Sequence, residues 1–145
     1  MCLFHYPLLL ANSDTARRSI PRRKIVSGEP PKLIAIDHDD YHAEHVGRTA
    51  DGRQFFLTTP FEPASQHHVG GEYVALYVFD GSGHLIDAKI DDFGSRTTLD
   101  DDARRKLYEA RLQELGDVEF GRIEVAPFVL ERFGTTFGLV LREPE

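Results

Sequence analysis

The side chains best suited to chemistry gather in one stretch, Asp37-His38-Asp39-Asp40-Tyr41-His42-Ala43-Glu44-His45. Imidazoles and carboxylates are the usual ligands of zinc and similar divalent ions. On a helix, His38, His42 and His45 would stand at i, i+4 and i+7 on one face and could hold a metal with one position open to water. On a strand, His42 and Glu44 would face one way, and Tyr41 and His45 the other. The flanking residues read as turn followed by strand, and the His-Glu-x-x-His order that adds a general base at a fixed place is missing. The plainer reading is a solvated acidic turn, so a divalent metal at His38, His42 and His45 stands as the alternative and no cofactor is assigned. His67-His68, beside Gly70-Gly71, could act as a general base or complete such a metal site. Adjacent histidines in a polar loop more often do neither. His84 reads as the first residue of a strand after a turn.

Other reactive patterns are excluded by what they lack. Gly81-Ser82-Gly83 has neither the third glycine nor the following helix of a dinucleotide loop. Asp91-Asp92 and Asp100–Asp102 stand in no twelve-residue loop of alternating calcium ligands. There is no Gly-x-Ser-x-Gly elbow and no phosphate-binding Walker loop. The one cysteine, Cys2, can form no disulfide within the chain and no Cys/His zinc ribbon. As a nucleophile it lacks neighbours to position it.

The elements that must position these residues follow from pattern. Lys32–Ile36 is a short apolar run and a strand. Asp51-Gly52, between Tyr41–Ala50 and Arg53–Thr59, signals a hairpin of type I′. Pro60–Gly71 reads as a long loop. Glu72–Phe79 is apolar on both faces, which places it centrally in a sheet. In His84–Ile90, alternation sets Leu85, Asp87 and Lys89 on one side and Ile86, Ala88 and Ile90 on the other. The helix expected over about 99–115 is capped by Thr98 and carries i,i+4 pairs Asp100–Arg104, Asp101–Arg105 and Asp102–Lys106. Its buried stripe is Ala103, Leu107, Tyr108, Leu112 and Leu115, and Gly116 ends it. Phe120–Arg132 and Thr135–Arg142 form a last hairpin across Phe133-Gly134, with Pro127 marking an edge or bulge. The fold class is therefore α+β: a largely antiparallel β-sheet with one amphipathic helix packed on one face.

The chain's 145 residues suit one domain, and the proline pair after Ser27-Gly28-Glu29 marks its start. Residues 1–32 are expected as a disordered basic arm, and 33–145 as a single α+β domain. The arm carries six Lys/Arg against two acids, and the remainder eleven against twenty-two. Such an acidic body repels nucleic acid and anionic membrane. The apolar run Leu8-Leu9-Leu10 has no basic residue before it and is broken by His5 and Pro7, unlike a signal peptide. The expected location is cytoplasmic.

Three stretches carry a likeness to a known family: Phe120–Phe128 followed by Phe137-Gly138-Leu139-Val140, Val46–Phe56 around Asp51-Gly52, and Ala75–Asp80 with the helix. Together, over about 46–141, they resemble small bacterial proteins labelled formate hydrogenlyase regulatory protein HycA. The resemblance implies a cytoplasmic regulator of formate metabolism genes. With no helix-turn-helix and an acidic body, such a regulator would act through a protein partner. The resemblance transfers no catalytic or ligand-binding residue. The expectation is a non-enzymatic regulatory or protein-interaction module, its surface a sheet face or edge around Phe61 and the 60–71 loop. The alternatives are a small His/Asp metal-binding or hydrolytic domain, and an immunity-type protein that neutralises a basic toxin.

Overall fold

The structure, a computed structural model, describes residues 2–6, 33–39, 43–63 and 70–141. Eleven strands and one α-helix are defined among them. In chain order they are β1 (Cys2–Tyr6), β2 (Ile34–Ile36), β3 (His45–Thr49), β4 (Gln54–Thr58), β5 (Phe61–Glu62), β6 (Gly71–Phe79), β7 (Leu85–Asp92), α1 (Asp101–Glu114), β8 (Val118–Phe120), β9 (Ile123–Val125), β10 (Phe128–Arg132) and β11 (Thr135–Leu141). The α+β class holds: the sheets are mostly antiparallel and α1 covers one face.

The principal sheet is antiparallel throughout. β4 and β7 flank β6, β5 continues the β4 side, and β3 and β8 follow beyond β4. All nine residues of β6 are buried, as its two-sided apolar composition predicts. Its alternate side chains feed two cores. On one side Val74, Leu76 and Val78 join Phe55, Leu57 and Leu115, and the half-buried Leu107, Tyr108 and Leu112 of α1 pack on them. On the other side Ala75, Tyr77 and Phe79 join Val46, Phe56, Ile34, Ile36, Ile123, Val125 and Leu139. That second core is closed by two smaller sheets, β2–β9 and β1–β11–β10. Gln54, itself buried, ties the layers together. Its amide donates to the Asp80 carbonyl (3.2 Å) and accepts from the Glu124 N–H (2.9 Å).

Several expectations are corrected. The stretch 120–132 is not one strand: β8, β9 and β10 are three short pieces in three different sheets, and Pro127 falls between β9 and β10. The β3–β4 turn has positive φ only at Gly52 (φ 90), whereas type I′ needs two such residues. It is Phe133-Gly134, with φ 56 and 71, that has the positive pair a type I′ turn requires. In β7 a register shift opposite Val78 and Phe79 brings Leu85 to the same core as Ala88 and Ile90, and leaves Ile86 53% exposed. Asp100, not Thr98, caps α1 by accepting from the Ala103 N–H at 3.1 Å. The helix pairs are i,i+3, Arg104–Asp101 and Arg105–Asp102, and Ala103 is exposed. Within the expected arm Cys2–Tyr6 forms β1, parallel to β11, while its other residues, 1 and 7–32, lie outside the described residues.

Candidate functional site

Helix α1 lies on the sheet through Leu107, Tyr108 and Leu112. Helical spacing puts Arg104 one turn before Tyr108 on nearly the same face. From these two side chains a chain of contacts runs in both directions across the helix side of the sheet.

Towards β6, Arg104 Nη1 donates to Glu72 Oε1 at 2.8 Å. Glu72 is almost wholly buried, its side chain 4% exposed. Its other oxygen accepts from Arg96 Nε at 2.9 Å. A buried carboxylate is tolerable only when paired and hydrogen-bonded, and the two guanidinium groups meet that need. Arg96 in turn sits over the Phe61 ring, its guanidinium carbon 4.4 Å from the ring centroid. Phe61 is 42% exposed.

Towards β3, the Tyr108 hydroxyl lies 2.5 Å from His45 Nδ1 and 3.4 Å from the Leu57 carbonyl. Burial raises the Tyr108 phenol well above its ordinary range, and the Glu44 carboxylate adds to the effect. His45 meets the Phe120 ring edge-on at 5.4 Å, and His38 stacks on the same ring at 5.7 Å. His38 Nε2 is also 2.9 Å from the Glu44 carbonyl. Phe120, at the end of β8, is 45% exposed.

The centre of this strip is an open cavity of about 230 Å³ lined by Thr59, Asp101, Arg104, Arg105 and Tyr108. The strip thus runs Phe61, Arg96, Glu72, Arg104, cavity, Tyr108, His45, Phe120, His38, with an exposed aromatic ring near each end.

The structure does bring together two of the three histidines singled out in the sequence. His38 and His45 meet through Phe120 rather than around a shared point. Among the described residues no group of three or more His, Cys, Asp or Glu side chains is placed to hold a metal ion. His42, His67 and His68 lie outside the described residues. His84 belongs to a turn, its Nδ1 3.2 Å from Ser82 Oγ. Asp80 accepts there from the His84 N–H and from the Ser82 hydroxyl and N–H, and these bonds hold its carboxyl below the usual range, the His84 bond most and the Ser82 hydroxyl next.

Glu72, Arg96, Arg104 and Phe120 escaped the sequence reading. Glu72 carried a signal, an acid at the head of a run otherwise apolar on both faces. Arg104 read as the i,i+4 partner of Asp100, and Phe120 as the first residue of the last hairpin.

No protein-family model, curated protein or solved structure matches the chain. Among the described residues no helix is long and apolar enough to cross a membrane.

Proposed function

We propose that the protein is a non-enzymatic, cytoplasmic interaction module that binds a protein partner through the helix-side strip ending in Phe61 and Phe120. The observation that carries this reading is the exposed Phe61 ring under an arginine fixed from below by a buried carboxylate. Aromatic and arginine side chains dominate binding energy at protein interfaces, and side chains already held in place lose less entropy on docking. The Arg96–Glu72 pair supplies that order, and Phe120 between His38 and His45 repeats it at the other end. A regulatory role of the HycA kind, suggested by the sequence likeness over about 46–141, fits this reading because such a module would act through a protein and not through DNA.

Phe61→Ser and Phe120→Ser test it. Both rings are nearly half exposed, so each variant should remain folded, with stability within about 1 kcal/mol of the parent. A photo-crosslinker at position 61 in bacterial lysate should give a discrete adduct that Phe120→Ser weakens. The same crosslinker at the exposed Val129, outside the strip, should not give it. Equal adducts from positions 61 and 129 would count against the strip as an interface.

A further inference from the structure

We infer that the cavity between the β4–β5 connection and the first two turns of α1 is a binding site for a small oxoanion that also carries a hydroxyl group, with hydrogen phosphate as its simplest example. The site is independent of the interaction reading, since it rests on the lining and not on the exposed rings.

The first ground is charge. Over residues 33–145 the chain has eleven bases and twenty-two acids, yet this lining sets two guanidinium groups against one carboxylate. Both guanidinium groups also meet carboxylates, Arg104 those of Glu72 and Asp101 and Arg105 that of Asp102, so what the cavity offers an anion is two arginine forks rather than a net positive field.

The second ground is the state of the two arginines. Arg104 is oriented: Glu72 holds Nη1 at 2.8 Å and Asp101 holds Nη2 at 2.9 Å. Arg105 is recruitable: it pairs with Asp102, the two side chains 63% and 75% exposed. An exposed ion pair contributes little, so Arg105 can exchange Asp102 for a ligand oxygen at small loss. Arginine's planar fork suits carboxylate and phosphate geometry.

The third ground selects the hydroxyl. The Tyr108 phenol stays protonated, and its single hydrogen is engaged by His45 or by the Leu57 carbonyl. Toward the cavity Tyr108 therefore offers a lone pair, as does the Asp101 carboxylate. A ligand with bare anionic oxygens satisfies the arginines and is repelled by Asp101. A ligand that also donates an O–H satisfies both sets. Size agrees: about 230 Å³ is roughly eight waters' share of liquid, below the ~300–1,000 Å³ of sites for drug-sized molecules.

The test is an NMR titration of the full chain with inorganic phosphate at constant ionic strength, with sulfate, which lacks the hydroxyl at neutral pH, in parallel. Saturable amide shifts are expected at Thr59 and across 101–108, with phosphate preferred over sulfate by roughly tenfold, the scale of one hydrogen bond to a charged group. Arg105→Gln should weaken phosphate by a similar factor while leaving the thermal midpoint in place. Asp101→Asn should narrow the gap between phosphate and sulfate. Shifts that grow without saturating, that are equal for phosphate, sulfate and chloride, or that persist unchanged in Arg105→Gln would overturn the assignment.

Discussion

At Tyr108 a single hydroxyl links the helix to the sheet. Burial favours the neutral phenol, so its folded ionisation lies above the ordinary value of about 10. The sign follows from proton linkage. Between the unfolded and folded values the native state binds the proton and the unfolded state releases it. The stabilisation is therefore complete below about pH 10 and is lost as pH rises through the folded value. Unfolding free energy measured by urea titration should fall with pH above about 10 in the parent protein. In Tyr108→Phe this alkaline slope should be shallower. At neutral pH the same variant should lose about 0.5–1.5 kcal/mol, one net hydrogen bond. An unchanged alkaline slope would mean that the phenol is more hydrated than its position under α1 implies.

At the scale of elements, the β3–β8 pairing depends on an absent side chain. A Cβ on Gly47 would collide with the Glu119 carbonyl oxygen and stand 2.8 Å from Phe120 Cα. Both obstacles are backbone, so the strands would have to part. Gly47→Ala should destabilise by about 1–3 kcal/mol, the range for forced overpacking, measured by chemical denaturation. It should also displace Phe120 from His38 and His45. Asp100→Ala, which removes the helix cap, should cost about 1 kcal/mol.

These elements differ in how far the sequence disclosed them. β6 was legible as an unbroken apolar run of strand formers, and α1 as a helical period held over many residues. The region 118–132 was not, because three strands of three to five residues leave no room for a period to show. Their assignment to separate sheets is set by tertiary contacts such as the Ala126 N–H to Gly83 carbonyl bond at 2.8 Å. The side-chain directions in β7 were misread for one physical reason: a single register shift exchanges the faces of every residue beyond it. The strip of contacts across α1 joins β3, β6 and β8 to the helix, and no local pattern brings distant strands side by side. His38 and His45 were visible by type, but their meeting through Phe120 was not.

For the molecule as a whole, the long edge of the principal sheet among the described residues is β7. An unpaired strand edge is a template for addition of another chain, and charge along it discourages that. Asp87, Lys89 and Asp92 are exposed on β7 beside the apolar, 53% exposed Ile86. Asp87→Val with Lys89→Val should leave the fold in place but promote self-association, visible as rising light scattering at concentrations where the parent stays clear. If scattering does not change, another part of the molecule shields that edge.

The pairing of β1 with β11 sets Cys2 against Phe137 and Tyr6 against Leu141. No other pairing in the described structure spans so much chain. Contacts of this separation demand loop closure before they return any stabilisation, and closure entropy grows with the length enclosed. The β10–β11 hairpin, by contrast, closes over two residues. A nascent chain can therefore assemble β10 and β11 on the principal sheet while β1 is still unattached. In the order of folding, β1, made before every other described strand, is expected among the last to be placed.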